Sequence, residues 1–249
     1  MALLVETQHH RLLYDTGPLY APGASGATRV ILPYLRGRGI GRLDALVISH
    51  SDLDHVGGAE AVLQTVQVGQ LISSLPDGHR LLGKTTRPAR CSAGQAWHWD
   101  GVRFEMLAPD DASYANARLK SNARSCVLRI SAGGKAILLA GDIEAAQEAA
   151  LLDLDADRLR ANVLLAPHHG SGTSSSAAFL QAVAPTVGIF QVGHRNRYRH
   201  PQKLVYARYG AMGIERIRTD ERGAVTLAFG PGLDVTTYRA THARYWYGR

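Results

Sequence analysis

With 249 residues, 45% of them apolar and 20% charged, the chain is long enough to bury a large core and too apolar to be intrinsically disordered. No apolar run approaches the ~20 residues of a membrane span, and the first residues lack a basic-then-apolar signal pattern. The formal charge of +7, from 28 basic and 21 acidic residues, favours polyanionic partners over cationic ones. Residues 2–6 and 11–15 (RLLYD) read as two strands joined by a tight turn. A buried strand follows at 43–49 (LDALVIS), then a helix at 57–67 and strands at 70–75, 102–108, 125–131 and 135–141, the last two joined by a Gly-rich turn. A helix at 143–153, a strand at 162–167, a helix at about 175–183, a strand at 186–192, a helix at about 201–209 and strands at 214–219 and 224–229 complete the pattern.

Many strands with interspersed helices and no linker imply one domain, 1–249, built as two packed sheets with helices outside. Met1 stands before ALLVET, which reads as mid-strand, so the sequence is expected to be a domain of a larger protein. Residues 76–96 and 109–124 are the least regular and are expected to be mobile or partner-facing. Cys91 and Cys126 lie 35 positions apart with no zinc or redox motif, and read as small core residues rather than a disulfide. Ten arginines fall between Arg195 and Arg249, either a solvated basic face or a phosphate-tracking groove.

The chemistry concentrates where strands end. His50-Ser51-Asp52-Leu53-Asp54-His55-Val56-Gly57-Gly58 directly follows the buried strand at 43–49, and puts four ligand-type side chains within six residues. Imidazole nitrogens and carboxylate oxygens suit borderline-to-hard divalent metals. Helix capping would explain one of the two aspartates and leave the rest of the cluster unexplained. Asp15 ends the strand at 11–15, Asp142 the strand at 135–141, and His168-His169 the strand at 162–167. A turn, a helix cap and surface histidines would explain these one at a time, but not their shared placement. His194, Asn196 and His200 form a further polar group before a helix. Ser171 and Ser174–Ser176 are candidate phosphate donors or caps.

The HSDLDHVGG segment, with DTG, AGD and the histidine pair in order at strand ends, resembles the metallo-β-lactamase superfamily over essentially the whole chain. A narrower likeness, carried by HSDLDHVGG, SNARSCVLRI, LLAGDIE, APHHGSGTSSS and VGHRNRYRHP, is to the C-terminal domain of the ComEC family of inner-membrane DNA-uptake channels. The resemblance implies an α/β, four-layer αββα sandwich with two divalent metals at the edge between the sheets. It also implies a nuclease of natural transformation, on the extracytoplasmic face of the membrane, that degrades the strand left outside. The partners it implies are DNA, single-stranded in preference, and the adjoining channel and accessory domains of the parent protein, with no membrane contact required of this domain itself.

Carried over by position, His50 and Asp52 bind one metal, Asp54 and His55 the second, and Asp142 bridges them. His169 is assigned to the second metal, and Asp15 orients a ligand histidine. Asp54, His168 and His200 are the catalytic candidates, the two histidines at the reacting phosphate or the leaving group. Asn122, Ser125, Ser171 and Asn196 are assigned to supporting or substrate contacts. Most relatives have a further histidine where this chain has Ser121-Asn122 and Ser125. That departure and Asp52 make the site rich in oxygen, which favours Mn²⁺, with Zn²⁺ or Mg²⁺ as alternatives. Two other readings share these motifs: a small-molecule metallohydrolase of the same fold, and a DNA-binding module with a degenerate site.

Overall fold

The computed structural model describes residues 1–244, so Arg249 of the arginine-rich segment lies outside the described residues. The chain divides into two compact units, Met1–Leu128 and Arg129–Arg249.

In the first unit, β1 (Leu3–Glu6) and β2 (Arg11–Tyr14) pair antiparallel. A small hairpin of β3 (Leu19–Ala21) and β4 (Ala24–Ser25) leads into a helical run, Ala27–Ile31 and then α1 (Leu32–Gly37). β5 (Arg42–Ile48), α2 (Leu53–Val56), α3 (Ala59–Thr65), β6 (Gln67–Ser73) and β7 (Pro88–Arg90) follow. The sheet order is β1-β2-β5-β6-β7, parallel from β2 onward. Six of the seven β5 positions are buried or half-buried, the run expected of a parallel strand covered on both faces. Leu13, Leu43, Leu46, Ile48 and Leu71 from the strands pack with Ile31, Leu35 and Val62 from the helices. Each fully buried Leu or Ile contributes about 2 kcal/mol.

The helical run at 27–37 has no counterpart among the expected elements. Its Pro33 resembles a breaker in sequence but stands in the first turn of α1, where the missing N–H costs nothing. The two irregular stretches contain β7 and α4 (Asp111–Ala115), and the first runs into β8 (Ala96–Trp99), which pairs antiparallel with β9 (Val102–Ala108), the strand expected at 102–108. Arg124 ties the end of this region down, with Nε donating to the Ser113 carbonyl at 3.1 Å and Nη2 to that of Asn116 at 2.7 Å. The cysteines correct the sequence reading outright: Cys91 and Cys126 form a disulfide with Cα atoms 6.0 Å apart. Cys91 follows β7 and donates its N–H to Ser73, while Cys126 donates to Ser49 at 2.9 Å. Strand pairing thus brings together residues whose spacing gave no hint of it.

The second unit begins within β10 (Val127–Ala132), which turns through Gly133-Gly134, both at positive φ, into β11 (Lys135–Leu139). α5 (Ala145–Asp155), β12 (Val163–Leu165), α6 (Ala177–Val183), β13 (Val187–Phe190), α7 (Lys203–Ala211) and β14 (Glu215–Arg218) alternate as parallel strands and crossover helices. Their sheet order is β14-β13-β12-β11-β10. β12 and β13 are buried throughout. α8 (Thr219–Arg222), the hairpin of β15 (Val225–Phe229) and β16 (Leu233–Thr237), and α9 (Tyr238–Thr241) end the described chain. Among the described residues no helix is long and apolar enough to cross a membrane.

Candidate functional site

Parallel pairing determines which side chains share an edge. In the first unit Tyr14 stands opposite Val47, so Asp15 and Ser49 leave β2 and β5 at the same end. Asp15 takes a left-handed backbone, φ 57°, and is fully buried. Its carboxylate accepts from the Ser49 N–H and Oγ, both at 2.7 Å, and lies 2.7 Å from His55 Nδ1. Burial works against ionisation of Asp15, but attraction to His55 and the hydrogen bond from it outweigh burial, and the carboxyl is held below the usual range. Asp15 therefore starts no turn; it fixes a ring. With Nδ1 donating to a carboxylate, His55 presents its Nε2 lone pair outward, the tautomer a metal ligand needs.

His50 and His55 are both fully buried, whereas the Asp52 and Asp54 side chains are about half exposed. Each histidine Nε2 lies 3.7 Å from its neighbouring carboxylate, His50 from Asp52 and His55 from Asp54. That is too long for a hydrogen bond. Two ligand atoms each about 2.1 Å from a shared ion stand roughly 3–3.6 Å apart, so small adjustments suit both pairs to a metal. Asp52 occupies the N-cap position of α2, yet its side chain makes no capping hydrogen bond, which removes the capping explanation. Ser125 is buried, its Oγ 3.4 Å from His50 Nδ1. Ser121 Oγ accepts from the Ser51 N–H at 3.0 Å, so the 121–125 turn lies against the motif. Asn122 opens that turn. Ser49 escaped the sequence reading, although its Oγ also sits 3.0 Å from His50 Nδ1. Its position directly before the first motif histidine was the available signal.

In the second unit Leu139 stands opposite Leu165, and Leu165 opposite Ile189. Parallel register therefore delivers Asp142, His168-His169 and Gln191 past the same ends of β11, β12 and β13. Asp142 is buried, with Oδ2 3.6 Å from His169 Nε2 and 3.8 Å from His168 Nε2. These separations repeat those of the first unit. Asp142 is not the cap of α5, because Glu144 holds that place in a reciprocal capping box with Gln147.

His168 and His169 both adopt positive φ, 49° and 55°, a strained pair that marks a constrained site. Their anchoring differs. His169 Nδ1 lies 2.8 Å from the Gln191 carbonyl, which accepts only, so Nε2 is the unprotonated nitrogen. His168 Nδ1 is held loosely, 3.4 Å from both Thr173 Oγ1 and Glu144 Oε1. A tightly set neutral ring suits metal binding, and a loosely held ring beside a carboxylate suits proton transfer. Gly170 follows with φ +80°, and a Cβ there would lie 2.8 Å from the Phe190 ring and from Pro201. Gly170→Ala is expected to cost about 2–3 kcal/mol, read as a fall of roughly 5–10 °C in the thermal midpoint.

The serine run is structural. Ser174 Oγ donates to the Pro167 carbonyl at 2.8 Å, Ser175 Oγ meets Tyr209 at 3.1 Å, and Ser176 caps α6 by accepting from the Phe179 N–H. Ser171 Oγ lies 3.1 Å from Thr173 Oγ1. Asn196 spends its amide on the backbone of His200, accepting from its N–H and donating to its carbonyl, both at 2.8 Å. It positions His200, whose ring lies edge-on to that of His168 with centroids 5.9 Å apart.

Comparison with known proteins gives a consistent picture. Residues 1–114 match the metallo-beta-lactamase superfamily. The chain is 38% identical over 248 residues to a protein named competence protein ComA of Neisseria gonorrhoeae, covering 99% of this chain and 33% of that protein. It is 36% identical over 250 residues to recombination protein 2 of Haemophilus influenzae, covering 100% of this chain and 30% of that one. The chain thus spans about a third of the length of these curated relatives. Among solved structures, a putative metal-dependent hydrolase from Parabacteroides distasonis superposes with a TM-score of 0.54 at 13% identity, over 88% of this chain and 89% of that one.

Proposed function

Because the chain belongs to the metallo-β-lactamase superfamily and has its mixed α/β fold, we propose that it is a metal-dependent hydrolase of DNA phosphodiester bonds serving DNA uptake. The observation that carries the reading is the repeated histidine–carboxylate spacing of 3.6–3.8 Å, with His55 and His169 each anchored through Nδ1. Such donors fit divalent ions, and we assign His50, Asp52, Asp54, His55, Asp142 and His169 as ligands. When bound, such ions supply a hydroxide near neutral pH and offset the charge of the phosphate. Asp15 holds His55 in its ligand tautomer, and His168, with its Nδ1 3.4 Å from Glu144 Oε1, delivers a proton to the departing oxygen. His200, pinned by Asn196, lies next to His168 on the substrate side.

The net charge of +7 and the arginines of the 193–200 loop support a polyanion over a small neutral ester. The relatives named for competence and recombination support DNA as that polyanion. The disulfide supports work in an oxidising, extracytoplasmic compartment, as one domain of a longer membrane protein. The deciding experiment is hydrolysis of labelled single- and double-stranded DNA by the purified chain with Mn²⁺, Mg²⁺ or Zn²⁺. Cleavage in at least one metal is the expected result; inactivity in all three with DNA still bound would establish a binding module instead.

Mn²⁺ is expected to support turnover better than Zn²⁺, because Asp52 places a hard oxygen where most relatives of the fold carry imidazole. Asp52→His should shift both metal content and activity toward zinc. Native protein that works best with zinc would sink the hardness argument.

A further inference from the structure

The 193–200 loop of the second unit carries a feature that hydrolysis alone does not need. Tyr198 is exposed, with 58% of its surface open, although it sits beside the candidate catalytic histidines. Its ring lies nearly parallel to that of His200, 16° between planes and 5.8 Å between centroids. His200 in turn meets His168 edge-on, and His168 Nε2 is 3.8 Å from Asp142. On the solvent side the Arg197 guanidinium stands 4.7 Å from the Tyr198 centroid and donates to its hydroxyl. Flat π groups therefore run without a break from solvent to the Asp142 carboxylate.

The loop that presents this ring is braced rather than slack. Asn196 clamps both backbone groups of His200, and Gln202 donates from Nε2 to the Tyr198 carbonyl at 3.1 Å. The Gln202 N–H reaches the Gly170 carbonyl at 2.9 Å, which ties the loop to the His168-His169 turn. Arg195 and Arg199 hold left-handed backbone, φ 54° and 55°, a cost that persists only where surrounding contacts impose it. Both arginines are exposed on either side of the tyrosine.

Building on the phosphodiesterase reading, we propose that Tyr198 is the stacking platform for a base of single-stranded DNA, seating the nucleotide whose phosphate reaches His168. The base takes the solvent-side face of the ring that the exposed Arg197 guanidinium covers, and Arg197 moves with Arg195 and Arg199 onto the phosphates, so the loop matches both parts of a single strand, an apolar base plane and an anionic backbone. A duplex keeps its base planes covered by their neighbours and offers this ring nothing. The platform thus makes a frayed end or a free strand the substrate that docks productively. Tyr198 is a substrate-binding residue here, and Asn196 and Gln202 are positioning residues that act through the loop.

The test measures binding in EDTA, so that neither metal nor turnover contributes. Fluorescence anisotropy compares the native chain, Tyr198→Ala, Tyr198→Phe and Tyr198→Trp, on a labelled single-stranded oligonucleotide and on an abasic oligomer of equal length. Tyr198→Ala should weaken binding of the oligonucleotide about tenfold and leave the abasic oligomer unchanged. The Phe and Trp variants should match native protein on both. An equal loss on both oligomers would make Tyr198 a support of the loop, and no loss on either would put the base elsewhere; each overturns the platform. Base-dependent binding without cleavage in any metal would keep the platform and remove the hydrolase reading. Cleavage with unaltered affinity in Tyr198→Ala would do the reverse, and native protein that binds neither oligomer overturns the platform directly.

Discussion

Asp142→Asn is expected to lower metal-dependent DNA hydrolysis by about three orders of magnitude, roughly 4 kcal/mol of barrier, and to leave the thermal midpoint unchanged or higher. The first half follows from Asp142 lying within reach of both His168 and His169 while itself buried. A buried carboxylate is costly without a cation, and the amide removes the charge without changing the shape. The second half follows from the capping box of α5, which Glu144 and Gln147 complete between them. Initial rates and thermal melts on the same preparation check both at once. A folded variant of near-native activity would remove Asp142 from the ligand set, whereas a midpoint falling by several degrees at unchanged rate would return it to a purely structural role.

Replacing Cys91 and Cys126 together with serine is expected to lower stability by about 4 kcal/mol, because the disulfide closes a loop across a separation of 35 residues. For a chain of this size that corresponds to a midpoint lower by roughly 10 °C. Native protein treated with a thiol reductant should melt with the double variant, and the double variant should be indifferent to reductant. Coincident melts of oxidised, reduced and substituted protein would contradict a structural role for the bond. The effect should also reach activity, since Cys126 donates its N–H to the Ser49 carbonyl while Ser49 Oγ braces Asp15.

The candidate metal ligands were legible because they occupy short segments at the ends of strongly apolar strands. LDALVIS before His50 and NVLLAP before His168 announce buried strands, and ligand-type residues directly after them have few structural duties. What the sequence could not supply was the list of duties already taken. Only the structure reveals that Glu144 caps α5 and thereby frees Asp142, or that Ser174, Ser175 and Ser176 are consumed by the turn and by α6. Ser49 was missed because a serine inside a strand reads as an ordinary small residue until parallel pairing sets it against Asp15. The cysteine pair was misread for a related reason: its proximity depends on strand pairing across the first unit, which local pattern does not encode. The helix at 27–37 was lost to Gly26 and Pro33, both breakers by composition and both tolerated at a helix start. β8 was lost because its half-exposed alternation over AWHW looks like a loop without its partner β9.

The anchoring of His55 and His169 has a use beyond chemistry. Each holds its Nδ1 proton against an acceptor that cannot give one back, the Asp15 carboxylate at 2.7 Å and the Gln191 carbonyl at 2.8 Å. Protons so held exchange slowly with solvent and resonate far downfield of the amide envelope in a proton spectrum. The protein therefore carries one spectroscopic reporter in each donor set, readable without substrate and without a label. Titrating a diamagnetic ion such as Zn²⁺ should move both lines, because withdrawal of electron density at Nε2 is felt across the ring at Nδ1. Asp15→Ala should erase the first line and spare the second.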